Sequence, residues 1–149
     1  MQAKRVYLDV CVLCRPFDDQ QQARIRLETN ALDLILGHIA PEERQLIVSP
    51  AHQVEIQAIP ALEERQHLLI LLDHTATQLA FDLSAVRLRT ETLAKSGMGL
   101  ADAAHVAFAE FAQADFITVD ERLLRQCQRL NVQVWSGTPL AYCDKEELR

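Results

Sequence analysis

Leu100-Ala101-Asp102-Ala103-Ala104-His105-Val106-Ala107-Phe108-Ala109-Glu110-Phe111-Ala112, with Phe116-Ile117-Thr118-Val119-Asp120-Glu121-Arg122-Leu123-Leu124 close behind, decides the fold class. The first run is apolar nearly all round, which marks a central, buried helix. Phe116 to Val119 reads as a buried strand that stops at an acid and runs into a second helix over Glu121 to Leu130. Strand and helix in alternation build a parallel sheet covered on both faces.

The same alternation extends outward in both directions. Arg5 to Val10 reads as a short buried strand, followed by a loop at Arg15-Pro16-Phe17-Asp18-Asp19 and a helix from about Gln20 to Leu36 that Gly37 ends. Leu46-Ile47-Val48 is a second strand. Ser49-Pro50 opens a helix, with Ser as N-cap and Pro in the first turn, and that helix stops near Ile59-Pro60. Another helix covers Ala61 to Leu72. Thr75 to Asp82 reads as a short strand or extended segment, ahead of a helix over Ser84 to Lys95 and a break at Gly97-Met98-Gly99. Val132 to Trp135 is the last expected strand, and Asp144 to Arg149 reads as a solvated, frayed tail. The expectation is one domain over residues 1–149, an α/β/α sandwich on a mostly parallel sheet.

A chain of 149 residues with 49% apolar content can bury a core without disulfide staples. Cys11, Cys14, Cys127 and Cys143 lack a secreted-type framework, and Cys11-Val12-Leu13-Cys14 has no second pair to complete a zinc knuckle, so they read as reduced thiols. The longest apolar run, Leu68 to Leu72, is too short to span a bilayer, which takes about 20 residues. With no secretory signal, the expected location is cytoplasmic. The net charge of −6 argues against loose, nonspecific binding to nucleic acid, yet is compatible with clustered catalytic acids.

Four carboxylates stand among apolar neighbours. Asp9 ends the first strand, in a sheet class whose ligands bind beyond the carboxyl ends of the strands. Glu55 sits on the second strand's helix beside Ala51, Ala58 and Ile59, pointing to the apolar side; a capping-box glutamate would occupy position 52, which is His52. Asp102 lies in the first turn of the apolar helix, where the dipole favours an acid, and heads a row continued by Val106 and Ala109. Asp120 closes the Phe116 strand and can also cap the next helix. Ionised carboxylates gathered together need a cation, and hard oxygen donors suit Mg²⁺ or Mn²⁺. That chemistry belongs to enzymes acting on phosphate esters.

A strand ending in Tyr7-Leu8-Asp9, an acid in the helix after a Ser-ended second strand, Asp102-Ala103-Ala104-His105, and Thr118-Val119-Asp120-Glu121-Arg122-Leu123-Leu124 together resemble the PIN domain from Arg5 to about Trp135. The chain is most similar to small prokaryotic PIN domains, which include VapC-type toxins of toxin–antitoxin pairs. The resemblance implies Mg²⁺- or Mn²⁺-dependent cleavage of single-stranded RNA. It implies that Asp9, Glu55, Asp102 and Asp120 form the acidic quartet and that Thr118 is the hydroxyl residue two before the last acid. It also implies a small antitoxin partner and homodimers, with apolar residues of the Gln20–Leu36 and Ala61–Leu72 helices as candidate interfaces. Many relatives carry Thr-Asn after the first Asp, where this chain has Val10-Cys11.

Arg15, in the loop after the first strand, is the expected RNA contact, with Arg24, Arg122 and Arg125 behind it; for Arg24 an i,i+4 pair with Glu28 competes. His105 reads as a packed helix histidine, and the other four histidines form no metal-spaced motif. A non-catalytic PIN scaffold is the alternative reading. Phosphatases with a nucleophilic Asp need a second Asp where this chain has Cys11, and phospho-receiver domains need an acidic pair and a late Lys that are missing here.

Overall fold

The computed structural model describes residues 2–149. Its centre is a five-stranded sheet, β1 (Lys4–Leu8), β2 (Arg44–Val48), β3 (Ala76–Gln78), β4 (Asp115–Ile117) and β5 (Ser136–Gly137), in the order β3-β2-β1-β4-β5. Every pairing is parallel. The helices are α1 (Val10–Leu13), α2 (Ala23–Gly37), α3 (Pro50–Gln57), α4 (Leu62–Thr75), α5 (Leu83–Lys95), α6 (Leu100–Ala112), α7 (Glu121–Arg129) and α8 (Pro139–Lys145), with a 3-10 turn at Arg15–Phe17.

Side-chain alternation along the strands separates two cores. Val6, Leu8, Leu46, Val48 and Ile117 face α2, α4 and α8, where they meet Leu32, Ile35, Leu68, Leu72 and Tyr142. Tyr7, Ile47 and Phe116 face the other way, onto Val86, Leu93, Val106, Ala107, Ala109 and Leu123 of α5, α6 and α7. The period of two in the strands thus makes the three-layer sandwich. Helix α6 is buried along most of its length, as its composition predicts, and Gln113 ends it in the left-handed conformation at φ 53°.

The structure departs from the sequence reading in several places. β1 ends at Leu8, and Val10 already belongs to α1 with Asp9 at its N-cap. The last strand lies at Ser136–Gly137 instead of Val132–Trp135, because Val132 and Val134, partly buried, pack against the α6–α7 core before the ladder starts. Pairing begins where the Phe116 N–H reaches the Trp135 carbonyl at 2.8 Å. Gly137 is required there, since the Trp135 indole lies where its Cβ would stand. The tail expected to fray keeps exposed residues at Asp144, Glu147 and Arg149, but its Glu146 is pinned by an ion cluster just past α8. Glu146, its side chain 6% exposed, accepts from Lys4 at 2.6 Å, Arg44 at 2.8 Å and Lys145 at 2.9 Å. This ties α8 to the amino-terminal edge of the sheet.

Candidate active site

The chain leaves β1 toward β2 and β3, then returns to add β4 on the opposite side of β1. Such a reversal opens a crevice at the carboxyl ends of the two central strands. Leu8 pairs with Ile117, so Asp9 and Thr118 emerge side by side into it. The Asp9 N–H donates to the Ile117 carbonyl at 2.9 Å, fixing the backbone one residue beyond the strand. Thr118 Oγ1 donates to Asp9 Oδ2 at 2.8 Å and accepts from the Asp120 N–H at 3.1 Å. Both Asp9 and Thr118 are buried. The Cys11 sulfur lies 3.3 Å from Asp9 Oδ2 and 3.3 Å from Thr118 Oγ1. Burial and the Asp9 charge push its pKa up, so it stands beside the acid as a protonated thiol.

Glu55 comes from α3, which leaves the end of β2. Its side chain does not sit in apolar surroundings: it is 44% exposed, and its Oε2 lies 2.5 Å from His105 Nε2 of α6. That hydrogen bond outweighs partial burial and holds the Glu55 carboxyl below its ordinary range. One donor atom each from Asp9, Glu55 and His105 lie within 4.8 Å of one another. His105 is therefore more than a packed histidine.

Asp102 and Asp120 flank a pocket of about 290 Å³ that also takes in Gly97, Met98, Gly99, Arg122 and Gln126. One Asp120 oxygen caps α7 by accepting from the Leu123 N–H at 3.1 Å. Asp102 joins this pair to the first group electrostatically. Its carboxyl is pushed up by burial and then by the charges of Asp9, Asp120 and Glu55, with His105 opposing. Among the described residues, no Lys or Arg forms an ion pair with Asp9, Glu55, Asp102 or Asp120. Asp102 thus feels the charges of the other three acids, while Arg122 lines its pocket without an ion pair to it.

Arg15 pairs with acids other than these four. Its guanidinium bonds the buried Glu28 at 3.0 Å and Asp18 at 2.8 Å. Arg24 makes the expected i,i+4 contact with Glu28 at 3.4 Å, adds Glu121 at 3.3 Å, and donates to the Val119 carbonyl. Arg122 alone of the four arginines lines the Asp102–Asp120 pocket. All four cysteines are free thiols.

Sequence reasoning missed a buried polar chain behind Glu55. His105 Nδ1 lies 2.6 Å from the Tyr7 hydroxyl, which lies 2.7 Å from Ser49 Oγ. His52 Nδ1 accepts from the Ser49 N–H at 3.1 Å, and His52 Nε2 meets the Leu8 carbonyl at 2.7 Å. His52 thus takes the place of the capping-box glutamate whose absence the sequence reading noted. The available signal was Tyr7: a tyrosine in a buried strand needs a partner for its hydroxyl.

No protein-family model and no curated protein matches the sequence. Among solved structures, FitAcB from Neisseria gonorrhoeae superposes with a TM-score of 0.52 at 15% identity, over 91% of this chain and 98% of that one. FitAB bound to IR36 DNA fragment superposes at 0.53 and 15% identity, over 90% and 94%. VapBC-5 from Mycobacterium tuberculosis, of the VapBC family of toxin-antitoxin systems, reaches 0.43 at 17% identity, too low to argue from. The fold is a PIN-like α/β/α sandwich. No helix among the described residues is long and apolar enough to cross a membrane.

Proposed function

We propose that this chain is a Mg²⁺- or Mn²⁺-dependent endoribonuclease that hydrolyses single-stranded RNA. One arrangement supports the reading: Asp9 and Glu55 offer donor atoms within 4.8 Å of each other and of His105, Asp102 and Asp120 line one pocket, and burial followed by the charges of Asp9, Asp120 and Glu55 raises the Asp102 carboxyl. An all-oxygen carboxylate set around an open cleft fits a hard divalent ion that keeps part of its water. Asp9, Asp102 and Asp120 would hold it, with Glu55 at the rim. Such an ion, when bound, supplies charge neutralisation to the phosphodiester oxygens and acidifies water.

The chain's own residues do the rest. Thr118 fixes the Asp9 carboxylate and, through the Asp120 N–H, the turn that presents Asp120. Glu55 has one oxygen bonded to His105, and its half-exposed carboxylate faces solvent at the cleft, where it accepts the proton of the attacking water. Arg122 lies beside the two aspartates to meet the RNA backbone.

The resemblance to VapC-type toxins extends the proposal to a small antitoxin partner and to homodimers. Leu27 on α2 and Leu62 and Ile70 on α4 are exposed apolar residues available to either interface. The test is a gel assay of purified protein on labelled single-stranded RNA with Mn²⁺ or with EDTA. Cleavage in Mn²⁺ that EDTA and Asp9→Asn both abolish supports the reading. RNA bound but uncut returns the non-catalytic PIN scaffold in its place.

A further inference from the structure

The polar chain behind Glu55 has a determinate direction. The Ser49 N–H can only donate, so His52 Nδ1, which receives it at 3.1 Å, carries no proton. His52 therefore holds its hydrogen on Nε2 and donates to the Leu8 carbonyl at 2.7 Å. Burial and the neighbouring His105 push its pKa down to about 3, which keeps the ring neutral. Ser49 Oγ lies 3.4 Å from the already occupied His52 Nδ1 but only 2.7 Å from Tyr7 Oη. Its proton goes to Tyr7. The Tyr7 hydroxyl, with that lone pair used, donates to His105 Nδ1 at 2.6 Å. His105 then carries its hydrogen on Nε2, opposite the Glu55 carboxylate. The reverse direction would set a bare nitrogen lone pair against a carboxylate oxygen and leave the Ser49 proton only the long contact. In the first direction every donor has an acceptor.

We propose that Ser49, Tyr7 and His105 are positioning residues that act in series on Glu55, fixing the His105 Nε2–H tautomer so that one oriented donor holds a flexible glutamate beside Asp9. This rests on the nuclease reading for its purpose, though not for its geometry. Tyr7, Ser49 and His105 are buried, whereas Glu55 is a long side chain on a short helix whose only hydrogen-bond partner among the described side chains is His105. Without that bond the carboxylate swings among solvent rotamers. His52, bonded to the Ser49 N–H and the Leu8 carbonyl, braces the backbone at the foot of this chain.

The experiment combines imidazole ¹⁵N spectra of the metal-free protein with Mn²⁺ titrations of the wild type and variants. The expected spectrum shows His105 as the Nε2–H tautomer. His105→Ala should weaken Mn²⁺ binding about 10- to 100-fold, and lower kcat more than it raises KM. His105→Gln, which can return an N–H to Glu55, should restore part of both, and Tyr7→Phe should show a smaller loss in the same direction. An Nδ1–H tautomer overturns the inference, even if RNA is cut. So does unchanged Mn²⁺ affinity in a folded His105→Ala. A wild type that shows the Nε2–H tautomer and the His105-dependent Mn²⁺ affinity, yet leaves RNA intact, supports this inference and overturns the nuclease reading alone.

Discussion

Thr118 Oγ1 donates to Asp9 Oδ2 at 2.8 Å, joining two residues 109 positions apart in sequence across the seam between β1 and β4. The same hydroxyl also accepts the Asp120 N–H. One side chain therefore sets the orientation of the first acid and the backbone of the last. Thr118→Val keeps shape and burial but removes both bonds. It is expected to cost about 1–3 kcal/mol, since the buried Asp9 oxygen and the partly buried Asp120 N–H each lose a partner. Cleavage should fall roughly 10- to 100-fold, in line with loss of a group that orients a ligand. Urea denaturation and RNA turnover check the two effects separately. Thr118→Ser should keep most of both.

Arg15 is expected to be structural. Glu28 is buried and takes Arg15 at 3.0 Å, with only the partly exposed Arg24 as a second partner at 3.4 Å. Arg15→Ala strips the closer cation from a buried carboxylate and should cost about 2–4 kcal/mol, measured by chemical denaturation. The KM for RNA should move little in the folded variant. Arg122→Ala should do the opposite, raising KM with stability unchanged within about 0.5 kcal/mol.

The acid limb of stability should depend on Glu146. Burial raises its pKa, but the bonds from Lys4, Lys145 and Arg44 outweigh that and bring it down to about 2. The folded pKa lies below the unfolded one, so the cluster's contribution is whole above about pH 4.5 and is lost as the pH falls toward 2. Glu146→Gln should cost about 2–3 kcal/mol at neutral pH and flatten stability between those values. Thermal unfolding across pH 2 to 7 reads it directly. An unaltered acid limb would show that the tail cluster contributes nothing.

Much of this molecule was legible before its coordinates. Short apolar strands such as Val6-Tyr7-Leu8 and the largely apolar Leu100–Ala112 helix specify their elements through burial, which short-range pattern reveals. Residues 132–135 misled because valines that dive into a core resemble valines in a ladder, and only the register with Phe116 separates them. The tail misled because Glu146 draws its partners from Lys4 and Arg44, more than 100 residues away. Asp9 stood out as a charge among apolar neighbours and is buried, whereas Glu55, read by the same sign, is half-exposed. The polar chain that serves Glu55 did not stand out, because Tyr7, Ser49, His52 and His105 each have an ordinary local explanation and only the packing of β1, α3 and α6 joins them. Arg15 shows the converse: a basic residue in a loop near an active site looked available until its two acids were located.

Everything proposed for the cleft depends on the acids converging to hold a cation. The most direct measurement is Mn²⁺ binding to chelator-stripped protein, by calorimetry with thermal unfolding alongside, for the wild type and Asp9→Asn. The wild type should bind Mn²⁺ saturably, and Asp9→Asn should lose that binding. The variant should also be the more stable of the two in EDTA, since one of four repelling charges is gone. Equal Mn²⁺ binding by both proteins, or a less stable Asp9→Asn in EDTA, would contradict that convergence.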